Sequence, residues 1–167
     1  MKISTLSQPA GKTRLDMHFS DDYFIGFVEG EGMFYIGVVP SSETKSGWQV
    51  IYFFKVSQNP SGRKVLESLK SRLRCGYIKQ NSLSDGKDKS LAFVVRDLSS
   101  LLHKVIPFFD KKLFVKRDAF EKFKQVLKLV ESGEHLTKKG MKIILDISYS
   151  MNTQKRRYSK QQILKSY

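Results

Sequence analysis

Residues 24–32, Phe-Ile-Gly-Phe-Val-Glu-Gly-Glu-Gly, constrain this chain more than any other stretch. An apolar helix runs straight into a Glu-Gly-Glu-Gly turn, and a strand-like run over 33–39 comes directly after it. Gly26 and Gly30 lie four residues apart, on one helical face, where the lack of side chains lets another backbone come close. Glu31 is then held just past the helix end. Close packing beside a delivered carboxylate points to a metal site built at an interface.

The surrounding pattern supplies a frame for that motif. Ser20-Asp21-Asp22 is a helix start, with a capping hydroxyl and early carboxylates, and predicts a helix over 20–29 that stops at the glycines. Residues 33–39 and 48–57 read as one hairpin around a turn at 41–47. After Pro60-Ser61-Gly62, Val65, Leu66, Leu69 and Leu73 share a helical face that Cys75-Gly76 closes. A second hairpin pairs 77–81 with 89–96 around Ser84-Asp85-Gly86-Lys87. A short helix over 98–106 is expected to stop at Pro107, with further helices over 117–130 and 137–147. The order αββαββα predicts an α+β fold, in which helices cover one face of a four-stranded antiparallel sheet and leave the other for a ligand. The expected domain limits are a flexible leader over 1–17, one domain over 18–150, and a basic, polar tail over 151–167. Residues 1–14 are basic and acid-free, and a targeting remnant is the alternative reading.

Charge says what the open face would meet. The formal charge is +14, and the usual partner of so basic a domain is nucleic acid. The charge is uneven: residues 1–60 hold 5 Lys/Arg against 6 Asp/Glu, whereas 61–167 hold 25 against 10. The motif thus lies in near-neutral sequence, and the grip on a polyanion comes from residues 61–167. Cys75 is the one cysteine, which excludes an internal disulfide and any multi-cysteine zinc site. His18, His103 and His135 show no ligand spacing, and no apolar run approaches the roughly 20 residues of a membrane span.

Residues 24–32 resemble the signature of the LAGLIDADG homing endonucleases, with both closing glycines and the intervening acid in register. The likeness continues in order through Phe54-Lys55-Val56-Ser57-Gln58, Val65-Leu66, Cys75-Gly76-Tyr77-Ile78, Ile106-Pro107-Phe108-Phe109, Lys116-Arg117 and His135-Leu136-Thr137. A chain with one motif looks like the homodimeric branch. The resemblance implies a saddle-shaped sheet in the DNA major groove, and motif helices of two subunits packed through Gly26, Gly30 and Phe27. It also implies paired cuts across the minor groove, leaving 3′ overhangs at a long, roughly palindromic site. Mg²⁺ is the implied cofactor, with Mn²⁺ able to substitute. Intron-borne relatives occur in organelles and microbes, so the resemblance fixes no compartment.

Carried onto this chain, the resemblance makes Glu31 the metal acid, with the Gly30 carbonyl beside it, because Mg²⁺ prefers hard oxygen ligands and keeps several waters. Glu29, two residues back, would anchor the motif's end by hydrogen bonds, or touch metal itself. Gln58 matches the position that orients a water, or is an exposed strand-end amide. The active-site lysine is Lys116, although ungapped counting from Pro107 selects Lys112. Arg63, just after Gly62, stands near where some relatives carry a basic residue. Strand alternation turns Gln49, Ile51, Phe53, Lys55 and Ser57 toward DNA, with Tyr35, Tyr77, Lys79, Asn81, Lys89 and Leu91 as further candidates. Ile51, Phe53 and Leu91 would meet thymine methyls, or a bulge breaks the alternation. The hairpin tips, 41–47 and 84–88, would reach outer base pairs. Lys138, Lys139, Lys155, Arg156 and Arg157 would touch phosphates or stand as solvated charges.

Four other readings compete. The two glycines could pack against the chain's own core. A dinucleotide loop needs strand before helix and a third glycine, neither of which is present. A non-cleaving binder, such as an intron RNA maturase or a DNA-binding regulator, could share the scaffold. A basic ribosomal-type protein explains the charge but not an acid set behind close-packing glycines.

Overall fold

The computed structural model describes residues 19–82, 87–151 and 157–167. The leader over 1–17, His18, most of the second hairpin tip, Lys155 and Arg156 lie outside the described residues. Helix α1 spans Asp21–Glu31, and the Ser20 hydroxyl accepts the Tyr23 N–H at 3.1 Å, as a capping serine should. The helix runs two residues beyond the expected stop and passes through Gly30. Gly32 ends it instead. Its N–H donates to the Val28 carbonyl while its own backbone is already extended, and it pairs with Val56 in the sheet. A Cβ at Gly32 would lie 2.6 Å from Val28 Cγ1 and 2.7 Å from Val28 O, so the helix-to-strand corner fits only glycine.

Strands β1 (Gly32–Pro40) and β2 (Trp48–Gln58) form the first hairpin, and β3 (Tyr77–Gln80) and β4 (Leu91–Val95) the second. The sheet order is β1-β2-β4-β3, antiparallel throughout, so the two inner strands come from different hairpins. Phe34, Ile36, Phe54, Val56, Phe93 and Val95 line the covered face and are buried. The Phe34 ring packs on Phe54, Phe109, Phe120 and Phe123, tying both inner layers into one core.

Helix α2 (Arg63–Leu73) buries Leu66, Leu69 and Leu73 and ends on Arg74 in the left-handed region. Gly76, at φ 74°, then turns the chain into β3. A Cβ there would stand 2.6 Å from the Phe93 ring and from Val94 O. Gly76→Ala therefore combines left-handed strain with overpacking, and should cost about 2–5 kcal/mol. The check is a lower denaturant midpoint at an unchanged slope.

Pro107 does not stop its helix. Three helical pieces abut: α3 (Leu98–Ser100), a π turn (Leu101–Val105) and α4 (Ile106–Phe109). The Ile106 N–H reaches back to Leu101 O, which widens the helix just before the proline. That wider turn gives a ring without an N–H a place in the helix. Helices α5 (Arg117–Glu131) and α6 (Lys138–Met151) complete the layer, and buried Ser148 donates to Ile36 O at 3.2 Å.

Residues 157–167 of the tail carry a helix and pack on the rest of the domain. Helix α7 (Lys160–Leu164) opens on Ser159 with a reciprocal Ser159–Gln162 capping box and buries Ile163. Lys160 pairs with Asp146 of α6, Tyr158 meets the Trp48 ring edge-on at 5.0 Å, and Tyr167 bonds Ser46 at 2.9 Å. Residues 157–167 thus close over the turn end of the first hairpin. No helix among the described residues is long and apolar enough to cross a membrane.

Candidate active site and nucleic-acid interface

Helix α1 buries Phe24 and Val28, and leaves the opposite stripe of Tyr23, Gly26 and Gly30 exposed, with Phe27 half-buried beside it. A Cβ added at Gly26 or Gly30 would meet nothing within 4 Å. These glycines therefore do not pack against the chain's own core. Phe19 stacks on Tyr23 at 4.6 Å and Tyr23 on Phe27 at 6.2 Å, an aromatic edge along the open stripe.

Glu31 is the last residue of α1, exposed, and makes no hydrogen bond or ion pair among the described residues. The carbonyls of the last helical turn lack helical N–H partners, and that turn carries no basic side chain. A bare carboxylate at the negative end of a helix dipole is a cation-attracting arrangement. Carboxylate oxygens are the kind of ligand that hard divalent cations take. No group of three or more His, Cys, Asp or Glu that could hold a metal ion occurs among the described residues.

Glu29 has a different task. Its carboxylate accepts the Phe114 N–H and, at 3.0 Å, the Lys116 N–H. The acid that the sequence sets two residues before Glu31 thus clamps the loop before α5 to the end of α1. Lys116 is held at the motif's end as a result. Lys112 sits elsewhere: its ammonium lies 5.1 Å from the Phe108 ring, which Arg72 also covers at 5.0 Å. Arg72 in turn grips Asp21 through two bonds of 2.7 Å, at the opposite end of α1.

Gln58 is the last residue of β2, two residues beyond the Val56 that pairs with Gly32, so it stands at the same end of the sheet as Glu31. Its Oε1 accepts the Asn59 N–H at 2.8 Å, leaving the side-chain NH₂ to donate elsewhere. A Cβ at Gly62 would lie 2.2 Å from Gln58 Cγ, so the glutamine lies over a glycine chosen for the space. Arg63 is occupied by Glu67 at 2.8 Å. Glu31 thus ends a helix, Gln58 ends a strand, and Lys116 lies in the loop that Glu29 clamps.

The sheet's other face bears Met33, Tyr35, Gln49, Ile51, Phe53, Lys55, Ser57, Tyr77 and Lys79, as alternation and register require. Asn81 joins them, its Oδ1 accepting from Lys55 Nζ at 3.2 Å. Leu91 does not. It pairs with Gln58 in the same phase as buried Phe93, and packs against the core. The outward positions of β4 are instead Ala92 and Val94, buried in the floor of the open face. Lys89 precedes β4 and is exposed, outside the reach of strand alternation. Lys138 and Lys139 open α6 and are exposed. Arg157 lies 5.5 Å from the Tyr158 ring.

A helix-backed, four-stranded antiparallel saddle with an acid at the end of its glycine-faced helix is the architecture of a homing endonuclease. The chain belongs to the LAGLIDADG endonuclease family, whose model matches residues 24–127. It is 31% identical over 134 residues to a probable intron-encoded endonuclease 2 of Neurospora crassa, covering 78% of this chain and 28% of that one. The crystal structure of the homing endonuclease I-TnaI superposes with a TM-score of 0.73 at 34% identity, covering 90% of this chain and 97% of the other. The archaeal intron-encoded homing endonuclease I-Vdi141I, solved in complex with DNA, gives 0.77 at 26% identity, with coverage of 87% and 92%. The chain spans about a quarter of the length of curated relatives such as the Neurospora protein.

Proposed function

We propose that this domain is half of a homodimeric, site-specific DNA endonuclease that cuts both strands of a long pseudo-palindromic target across the minor groove and leaves 3′ overhangs. The observation that carries the reading is Glu31: an exposed carboxylate without a protein partner among the described residues, ending a helix whose glycine face is open. Glu31 and the Gly30 carbonyl would hold Mg²⁺ or Mn²⁺, with phosphate oxygens completing the shell. A divalent cation bound there would activate a water and stabilise the leaving oxygen. Gln58 orients that water through its NH₂ group, and the Lys116 ammonium faces the charge that develops on the cleaved phosphate. The open face of the sheet reads base edges, with Gln49, Lys55, Lys79 and Asn81 offering donors and acceptors.

Incubating the protein with a randomised duplex library in Mg²⁺, and with Ca²⁺ as a binding-only control, tests this. Enriched, cut duplexes with 3′ overhangs are expected. Enrichment by binding without cuts would instead assign a nucleic-acid binder, and restored splicing of a host intron would assign an RNA maturase. On the selected target, Lys116→Ala should slow single-turnover cleavage by roughly 10²-fold or more, while Lys112→Ala should change it little. The reverse result would move the active-site lysine to position 112.

A further inference from the structure

We propose that Arg96 is a specificity-determining residue that reads a guanine, and that Tyr35 and Phe53 are its platform rather than independent base readers. The proposal rests on the open face of the sheet meeting duplex DNA.

Phe54 pairs with Val95, so Phe53 and Arg96 are the next opposed pair, on the face turned away from the core. The Arg96 guanidinium lies 5.3 Å from the Phe53 ring centroid. Phe53 stacks in turn on Tyr35, its partner across β1, at 4.7 Å and 14°. Tyr35 itself lies down along the strand. A Cβ at Gly37 would be 2.8 Å from the Tyr35 hydroxyl oxygen, so the phenol occupies the space that Gly37 leaves. Phenol, phenyl and guanidinium thus form one continuous stack across β1, β2 and the end of β4.

Arg96 is free to use its donors. Its carboxylate neighbour Asp97 is engaged elsewhere, accepting the Ser100 N–H at 2.7 Å as the cap of α3. Arg96 has no ion pair among the described residues, so its donor edge is available. The ring beneath it also restrains a side chain with many rotamers, which lowers the entropy lost on binding a base. Beside it opens a depression of about 230 Å³, lined by Gln49, Ile51 and Phe53 together with Arg96. A planar, pre-aimed fork with five N–H donors matches the O6 and N7 acceptors of guanine, the commonest specific contact in the major groove. Lys55, by contrast, spends one donor on Asn81.

The test is binding selection from a randomised duplex library in Ca²⁺, run side by side on the unsubstituted protein, Arg96→Ala, Arg96→Lys and Phe53→Leu. The expected result is a guanine column in the wild-type profile that Arg96→Ala and Arg96→Lys both erase, losing on the order of 10-fold or more discrimination there, with the other columns kept. Phe53→Leu should blur the same column. Uniform weakening of all columns would make Arg96 a phosphate contact and overturn the proposal, as would an unchanged Arg96→Ala profile. If the unsubstituted protein enriches no sequence at all, the DNA-reading face itself fails, a result distinct from either of those.

Discussion

Glu31→Gln is expected to abolish cleavage, by roughly 10³-fold or more in single-turnover rate, and to leave target binding intact or slightly tighter. Glutamine keeps the size and shape of the side chain and removes only its charge. Glu31 has no described hydrogen bond or ion pair to lose, so the thermal midpoint should not move. Removing a negative charge that would face phosphates should also relieve repulsion, hence the direction expected for binding. Cleavage kinetics in Mg²⁺ beside gel-shift titration in Ca²⁺ separate the two effects. A variant that still cuts at normal magnesium would remove Glu31 from the chemistry.

Gly26→Leu with Gly30→Leu is expected to yield a stably folded protein that neither self-associates nor cuts, whereas Gly32→Ala is expected to damage the fold. The contrast comes from what surrounds each α-carbon. Gly26 and Gly30 have open space where a side chain would stand, and leucine is about 0.8 kcal/mol or more better than glycine within a helix. The isolated domain should therefore melt at the same temperature or higher. The two leucines would block close approach of a second helix, which small residues at this spacing permit. At Gly32 the new methyl meets Val28 within its own chain, for a cost of about 1–3 kcal/mol. Light scattering and thermal unfolding on the three proteins read both signs at once. A dimeric, active leucine variant would place the seam on another face.

Both results hang on features that local sequence rules reach. The helix start at Ser20, the first hairpin and the outward phase of β2 are set by capping and alternation, and the structure has them where those rules put them. Glu29 as the holder of the turn is legible too, because it lies inside the helix rather than at its end. The loop it holds is not, since residues 114–116 are 85 or more positions away in sequence.

Where sequence and structure part, something non-local overrides the signal. Alternation through Lys89 turns Leu91 outward, yet β4 is apolar on both faces and its phase comes only from pairing with β2. Pro107 reads as a stop by propensity, and the π turn ahead of it makes room. The tail reads as solvated because its four anchoring residues, Tyr158, Ile163, Leu164 and Tyr167, are diluted by cations. Its Ser159-x-x-Gln162 spacing is the available clue. Arg96 escapes a pattern-based search because alternation counted from Lys89 and Leu91 turns it toward the core, whereas pairing with β2 sets it opposite Phe53 on the open face.

Helix α1 is held at both ends by charged side chains of its own domain: Asp21 to Arg72 at the start, Glu29 to the 114–116 loop at the finish. Neither bond uses the glycine face. The helix is therefore already posed, with its lysine loop in tow, before any second helix arrives. A seam built on that face would form as a rigid-body meeting of finished surfaces, and the spacing of the two centres across it would be inherited from how each half is braced internally.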